Sequence, residues 1–216
     1  MKATAPSVCI LDYGSGNVAS VRNLIEALRV DVTVSNAPGA IRDASHLVLP
    51  GVGAFGAAMR KIGERLPLAE VEREVLERGK PFLGICVGMQ VLATKGLEFG
   101  VQPGLGWIPG TVRPLDAPGL RLPHVGWNDV SWRAPGELGA GLANACDFYF
   151  LHSYAMQPDD PLTIAATASY GEDFCAVVRH KNVVGVQFHP EKSQQAGMRL
   201  MRNFLGVPSG AGSKLP

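Results

Sequence analysis

Short apolar runs alternate with helical periodicities through the first half of the chain. Uncharged runs of strand length lie at residues 8–11, 32–34, 46–49 and 81–85. Apolar residues recur at the spacing of a helix face over residues 18–28, on both sides of Pro67, and from Val87 to about Ala93. Because strands and helices alternate in this order, we expect an α/β fold with an open, mostly parallel sheet flanked by helices.

From Trp107 onward the pattern changes to short apolar runs punctuated by glycine and proline. These runs lie near Val112 and at residues 125–132, 148–154, 164–168, 176–178 and 183–188. They predict antiparallel strands added to the same domain. A closing helix is expected over residues 198–205, so that residues 1–206 form one domain and residues 207–216 form a flexible, Gly- and Ser-rich tail.

The composition of the 216 residues is that of an ordinary globular protein, with 46% hydrophobic and 18% charged residues. Lys and Arg total 20 against 19 Asp and Glu, and no stretch accumulates one sign. We therefore expect neither nucleic acid nor a membrane surface as a partner. The chain also lacks the apolar centre of a signal peptide and any run that could span a bilayer, which predicts a cytoplasmic protein.

The four cysteines never occur as Cys-x-x-Cys pairs, the spacing that zinc and redox sites favour. We therefore expect no metal and no other cofactor. Cys9, Cys146 and Cys175 are interpreted as small buried hydrophobic residues of a reduced protein. Cys86 differs from them because of the sequence around it.

Cys86 lies in the pentapeptide Gly84-Ile85-Cys86-Val87-Gly88, between an apolar strand and a helical segment. This is the context of a nucleophile elbow, in which small residues relieve crowding at a sharp turn. A helix N-terminus next to the thiol also favours its thiolate form. Glycines can equally serve close packing around a buried cysteine, so the pentapeptide alone leaves both interpretations open.

A second element, Phe188-His189-Pro190-Glu191, ends another apolar strand. Alternate residues of an extended segment share a face, so the Glu191 carboxylate can orient the His189 imidazole. A thiol nucleophile needs a base, and the base works better when a third group orients it. Cys86, His189 and Glu191 supply these three roles, although a His-Pro-Glu sequence by itself is also compatible with a surface cap.

Acyl transfer through a thioester further requires hydrogen-bond donors for the oxyanion. The turn Pro50-Gly51-Val52-Gly53 follows a predicted strand and is a candidate source of a free backbone N–H, at Val52 or Gly53. Taken alone it is an ordinary turn. The second donor is expected to be the N–H of Val87, which immediately follows the nucleophile.

Five segments together resemble the class I, or triad-type, glutamine amidotransferases and, within them, the glutaminase subunits of imidazole glycerol phosphate synthases. These segments are residues 12–17, 50–55, 84–90, 123–128 and 188–193. The resemblance implies that Cys86 attacks the side-chain amide of glutamine and that His189, held by Glu191, protonates the leaving ammonia. The thioester on Cys86 is then hydrolysed to glutamate.

The same resemblance implies the contacts of the substrate. Gly53 and Gln90 flank the bound glutamine, and Ser153 and Tyr154 hold its amino-acid end. Relatives often carry Thr where Ser153 stands, so this position departs from the usual pattern.

The resemblance also implies a protein partner. In these relatives ammonia passes to a (β/α)₈-barrel cyclase subunit, which forms imidazole glycerol phosphate and aminoimidazole carboxamide ribotide in histidine biosynthesis. Asn17, Trp127, Tyr149 and Lys192 match positions at or near that heterodimer interface. The alternatives are a solvated charge for Lys192 and core packing for Trp127 and Tyr149. The resemblance further suggests that the oxyanion hole near Val52 is incomplete until the cyclase is engaged.

Other proteins of related fold fit the sequence less well. The glutaminase of pyridoxal phosphate synthesis typically has Gly-Gly-Glu-Ser where this chain has residues 50–53, and the glutaminases of anthranilate and GMP synthesis usually have Gly-Pro-Gly-x-Pro. A non-catalytic binding module is a different class of explanation, but all three triad residues remain in this chain. A cysteine peptidase or stress protein would leave Gln90 and residues 152–154 unexplained.

Overall fold

The computed structural model of the protein describes residues 5–208. Most of the predicted tail, residues 209–216, lies outside the described residues. At its predicted start, Val207 packs against the core, and its N–H donates to the carbonyl of Arg202 at 3.0 Å.

Thirteen strands and six α-helices make up the described chain. The strands are β1 (Ser7–Ile10), β2 (Asp31–Val34), β3 (His46–Gly51), β4 (Phe82–Cys86), β5 (Lys95–Gly96), β6 (Gln102–Pro103), β7 (Gly110–Pro114), β8 (His124–Trp132), β9 (Cys146–His152), β10 (Tyr154–Pro158), β11 (Ile164–Tyr170), β12 (Glu172–His180) and β13 (Val183–Val186). The helices are α1 (Val18–Ala27), α2 (Pro38–Asp43), α3 (Phe55–Arg65), α4 (Leu68–Glu72), α5 (Val87–Gln90) and α6 (Gln194–Phe204). Short 3₁₀ turns span Pro161–Thr163 and Pro190–Lys192, and a π turn spans Arg73–Glu77.

Nine strands form one mixed sheet in the order β2-β1-β3-β4-β13-β12-β11-β8-β9. The first five of these strands are parallel, and the remaining neighbours pair antiparallel. The expected α/β fold, a mostly parallel sheet with antiparallel additions, is therefore confirmed. One helix of the first half, α2, has no counterpart in the predicted elements, because its six residues are too short to show a periodicity.

Strand β13 departs from the expectation. The apolar pattern places residues 183–188 among the antiparallel additions, but β13 is parallel to β4, with Val183 opposite Phe82 and Val186 opposite Ile85. It is antiparallel only to β12. All four residues of β13 are buried, as expected for a strand that is covered on both faces. The prediction was wrong for this strand, because an apolar run alone does not identify the neighbouring strand.

A small second sheet has the order β10-β7-β5-β6. The single run predicted at residues 148–154 is two strands, since β9 pairs with β8 in the large sheet and β10 pairs with β7 in the small one. Ser153 lies at the corner where the chain changes sheets. The predicted helix from Val87 to about Ala93 is also shorter, because α5 ends at Gln90.

The parallel strands and α5 pack at backbone contact. A Cβ atom on Gly84 would lie 2.3 Å from the carbonyl oxygen of Gly88, and one on Gly88 would lie 1.9 Å from the carbonyl oxygen of Leu49. Both distances are shorter than real Cβ contacts allow. Glycine is therefore required at both positions for α5 to approach β3 and β4.

We expect Gly84→Ala to lower the free energy of unfolding by about 3 kcal/mol, because rigid backbone has to move. The matched control is Gly63→Ala in α3, where an added Cβ meets no atom within 4 Å. That substitution should raise stability by about 0.5–1 kcal/mol through helix propensity. Denaturant midpoints measure both, and equal effects would contradict the close approach.

Candidate active site

The backbone of Cys86 has the strained geometry of a nucleophile elbow. Cys86 ends β4 and has φ 55° and ψ −112°, a conformation that non-glycine residues rarely adopt. Cys86 is almost completely buried, yet its side chain lines a cavity of about 230 Å³. Gly84 and Gly88 do allow close packing around a buried cysteine, which is the alternative interpretation of the pentapeptide. Close packing alone, however, requires neither the strained backbone of Cys86 nor a cavity beside its side chain.

The parallel strands β3, β4 and β13 end at one edge of the sheet, and the candidate residues lie at or just after their ends. In the register of β3 and β4, Gly51 lies opposite Cys86, so Val52 follows beside the predicted nucleophile. In the register of β13 and β4, Val186 lies opposite Ile85, so the chain after β13 emerges at the same level. The main-chain N–H of His189 then donates to the carbonyl of Tyr149 on β9 at 2.8 Å, which fixes the start of the following turn.

His189 and Glu191 form a buried pair. His189 Nδ1 lies 2.8 Å from Glu191 Oε1, and both side chains are almost completely enclosed. The local geometry differs from the extended segment expected, because β13 ends at Val186 and Pro190 begins the 3₁₀ turn Pro190–Lys192. The turn nevertheless brings the carboxylate to the imidazole.

The charge state of His189 is set by its neighbours. Burial alone lowers the pKa of His189, but hydrogen bonding with Cys86 and Glu191 and the negative charges of both groups together raise this pKa to about 9. The imidazole is therefore protonated near neutral pH when Cys86 is a thiolate. A thiolate–imidazolium pair is the reactive form that such a site can supply.

The cavity brings together residues that are distant along the sequence. Its lining includes the predicted oxyanion, nucleophile, substrate and base residues, namely Val52, Gly53, Cys86, Val87, Gln90, Ser153, Tyr154 and His189. Glu191 lies behind His189 and does not line the cavity. Glu98, Leu151 and His152 complete the lining.

Gln187 belongs to the site and was missed in the sequence. Its side chain is fully buried, its Nε2 lies 3.8 Å from Cys86 Sγ, and its Oε1 accepts a hydrogen bond from Gln90 Nε2 at 3.1 Å. Gln90 Nε2 also donates to the carbonyl of Tyr154 at 2.9 Å. A polar residue two positions before His189, inside an otherwise apolar run, is the signal that could have identified it.

Glu98 was also missed, and the sequence holds no periodic signal for it. Its Oε2 accepts a hydrogen bond from the backbone N–H of Phe55 at 2.7 Å, at the start of α3. This contact holds the carboxylate at the wall of the cavity that Cys86 also lines. The cavity thus contains a fixed negative group that can bind a cation.

Two buried histidines support the corner at Ser153. His152 Nδ1 lies 2.9 Å from the carbonyl of Tyr154, and His152 Nε2 lies 3.3 Å from His124 Nδ1. Burial lowers the pKa of His152 to about 3 and also lowers the pKa of His124. Both rings are therefore neutral near pH 7. The arrangement assigns Nδ1–H of His152 as the donor to Tyr154, and so fixes the cavity wall.

Three of the four predicted interface residues lie together on one surface. Trp127 and Tyr149 are directly opposite in β8 and β9, with ring centroids 6.1 Å apart, and Lys192 Nζ lies 5.3 Å from the centre of the Tyr149 ring. Trp127 is 47% exposed, so core packing does not account for it. Asn17 Nδ2 instead points inward and donates to Glu191 Oε1 at 3.0 Å.

Comparison with known families identifies the class to which this fold and site belong. The family model for class-I glutamine amidotransferases matches residues 9–207. The chain therefore belongs to the class-I glutamine amidotransferase family.

The relatives within that family point to one particular protein. The chain is 45% identical to imidazole glycerol phosphate synthase subunit HisH of Zymomonas mobilis over 214 residues, which covers 95% of this chain and 98% of the relative. It is 44% identical to the HisH subunit of Caulobacter vibrioides, and the match covers 92% of this chain and 97% of the relative.

Solved structures share the fold at low sequence identity. The structure of PurLQS from Thermotoga maritima has a TM-score of 0.73 and 17% identity, covering 94% of this chain and 99% of that one. A crystal structure described as a glutamine amidotransferase has a TM-score of 0.71 and 22% identity, covering 93% and 97%. Within residues 5–208, no helix combines the length and apolar character needed to cross a membrane.

We expect iodoacetamide to label Cys86 before the other three thiols. Burial raises the pKa of Cys9, of Cys146 and of Cys175, the last to about 12, so these groups stay as unreactive thiols. Peptide mapping after partial labelling measures the order. Cys86→Ala is the control and should leave only slow labelling, whereas faster labelling of half-buried Cys146 would contradict the assignment of the nucleophile.

Proposed function

We propose that this chain is the glutaminase subunit of an imidazole glycerol phosphate synthase, which hydrolyses glutamine and delivers ammonia to a cyclase subunit for histidine biosynthesis. The observation that carries the proposal is the cavity in which Cys86 and His189 meet, with Glu191 behind the imidazole. The HisH relatives, matched over almost their whole length, support the choice of this synthase within the family.

In the first step the Cys86 thiolate attacks the side-chain amide carbon of glutamine and forms a tetrahedral oxyanion. The imidazolium of His189 then gives its proton to the leaving nitrogen, and ammonia departs from a thioester. Neutral His189 next removes a proton from water, which attacks the thioester and releases glutamate. Glu191 keeps the Nδ1 proton in place and stabilises the imidazolium through the 2.8 Å contact.

The oxyanion is stabilised by backbone donors. The N–H of Val87 is at the first position of α5, where it has no intrahelical acceptor and faces the elbow. The second donor comes from the turn at Val52 and Gly53, which also lines the cavity.

Four side chains hold the amino-acid part of glutamine. The carboxylate of Glu98 fits the α-ammonium group, since it is fixed at the wall and can accept further hydrogen bonds. Gln90 has its amide nitrogen engaged by protein acceptors, so its carbonyl oxygen is the atom that meets the substrate. Ser153 and Tyr154 contribute from the corner between β9 and β10.

The cyclase subunit, which we propose to be a (β/α)₈ barrel, binds over the docking surface formed by Val125, Trp127, Tyr149, Leu151 and Lys192. Val125 pairs with Leu151 and Trp127 pairs with Tyr149, so these side chains share one face of the β8–β9 ribbon. Val125 and Leu151 are exposed apolar residues, 55% and 39%, and Leu151 also lines the cavity. Continuity between this apolar surface and the cavity lets ammonia pass to the partner without meeting bulk water.

Asn17 links the docking side to the triad. Its Nδ2 donates a hydrogen bond to Glu191 Oε1, the same oxygen that is paired with His189 Nδ1. A partner that contacts Asn17 can therefore change the orientation of the base. We place the reaction in the cytoplasm, where reducing conditions keep the Cys86 thiol free.

The proposal is tested by a glutaminase assay with and without the cyclase subunit. We expect low activity for the chain alone, strong stimulation in the loaded complex, and at least a 10³-fold loss for Cys86→Ala because the nucleophile is removed. A Cys86→Ala variant that retains substantial activity would contradict the mechanism.

The raised pKa of His189 predicts a divergence between two reactions of the same cysteine. As the pH rises through about 9, His189 loses the proton that the leaving ammonia needs, so glutaminase kcat/KM should fall about tenfold for each further pH unit. Alkylation of Cys86 by iodoacetamide needs only the thiolate and should not fall. Parallel pH profiles of the two reactions above pH 9 would be inconsistent with an acid role for His189.

Removing the indole of Trp127 should weaken the complex. We expect Trp127→Ala to raise the Kd for the cyclase about 30-fold, equivalent to about 2 kcal/mol, because half-exposed aromatic residues commonly carry binding energy in interfaces. The control is Leu162→Ala, since Leu162 is 92% exposed but lies outside the docking surface. Titration calorimetry measures both, and equal Kd values for the two variants would place the interface elsewhere.

A further inference from the structure

Tyr13 has a buried hydroxyl without a hydrogen-bond partner. It follows β1 and is among the largest completely buried side chains, with 1% exposed. Its hydroxyl oxygen makes no hydrogen bond to any residue of the described chain. Most buried polar groups are satisfied, so an orphaned hydroxyl beside an active site calls for an explanation.

The hydroxyl lies in the narrow space between the end of β3 and the first turn of α5, which we call the seam. A Cβ atom on Gly51 would lie 2.6 Å from the Tyr13 oxygen and 2.5 Å from the backbone nitrogen of Gly88. Gly51 is itself opposite Cys86 in the sheet. Tyr13 therefore packs against Gly51, and it is not part of the cavity lining.

The backbone amide of Val52 lies near this enclosed hydroxyl. Burial and the nearby charge of Cys86 raise the pKa of Tyr13, whereas the Val52 N–H lowers it. The two groups do not form a hydrogen bond of normal distance and angle, since the phenol oxygen has no partner in the described chain. An N–H group on the side of this phenol is not placed to bind an oxyanion in the cavity.

Rotation of the Gly51–Val52 peptide would exchange its two polar groups. The Val52 N–H would enter the cavity, and the Gly51 carbonyl would enter the seam in its place. The rotation changes ψ of Gly51 and φ of Val52, and Gly51 tolerates its new angle because it has no side chain. A phenol hydroxyl can donate as well as accept, so Tyr13 can donate to the incoming carbonyl.

We propose that Tyr13 is a positioning residue whose hydroxyl stabilises the rotated Gly51–Val52 peptide, in which the Val52 N–H binds the oxyanion. The proposal rests on the glutaminase function proposed above. The hydroxyl is unsatisfied before rotation and satisfied after it, so it favours the conformation that is competent for catalysis. Tyr13 touches neither glutamine nor the thioester and acts through the backbone.

The test is Tyr13→Phe in the complex with the cyclase subunit, since phenylalanine keeps the ring and removes only the hydroxyl. We expect kcat for glutamine to fall about tenfold while KM changes less than twofold. The affinity for the γ-aldehyde of glutamate, whose thiohemiacetal carries an oxyanion, should fall by the same factor. Alkylation of Cys86 by iodoacetamide should keep its rate, because that reaction needs no oxyanion donor.

Thermal unfolding separates positioning from packing. Loss of an unsatisfied buried hydroxyl should leave the Tm of Tyr13→Phe unchanged or raised, whereas a structural role would lower the Tm and slow alkylation together. The matched control is Tyr170→Phe, which removes a hydroxyl that donates to the carbonyl of Arg121 at 2.7 Å. It should leave kcat unchanged.

Two results would overturn the role of Tyr13. One is an unchanged kcat in Tyr13→Phe, and the other is an equal loss in kcat and in the alkylation rate. Failure of the proposed function is distinguishable, since the wild-type complex itself would then hydrolyse no glutamine.

Discussion

The parallel pairing of β13 with β4 is the constraint on which the site depends. Cys86 and His189, the proposed nucleophile and base, are more than one hundred residues apart along the sequence, and they meet because both strands end at the same edge of one sheet. An antiparallel β13 would send His189 to the opposite edge. The buried, parallel position of β13 therefore stabilises the sheet and also places His189 beside Cys86.

Around that edge, each part of the site is held by a rigid element. The elbow needs Gly84 and Gly88 because α5 approaches β3 and β4 at backbone contact. Glu191 is supported from the other side by Asn17, and Tyr154 is supported by neutral His152. The Val52 turn is the exception, because we propose that its peptide rotates before its N–H binds the oxyanion. On that proposal, catalytic competence depends on one peptide within an otherwise preorganised site.

Much of the fold and of the candidate site could be predicted from the sequence, because the candidate catalytic residues come directly after apolar runs of strand length. The strand before Cys86, the helix after it, and the His189 and Glu191 positions are all local signals. The pairing partner of β13 is not local, and neither is the change of sheet at Ser153, because strand order depends on contacts between distant segments. Glu98 lies in the connection between β5 and β6, so no periodicity identifies it. The packing of Tyr13 against Gly51 joins distant segments, and sequence spacing cannot reveal that contact.

In the proposed mechanism Cys86 carries the acyl group while His189 and the Val87 N–H act on it. The most direct measurement is a crystal structure of the complex after reaction with a chloroketone analogue of glutamine. We expect one covalent bond to Cys86 Sγ, with the ketone oxygen within hydrogen-bond distance of the Val87 N–H and the His189 ring beside the sulfur. An adduct on another residue, or a Cys86 adduct whose carbonyl points away from Val87 and His189, would contradict this mechanism.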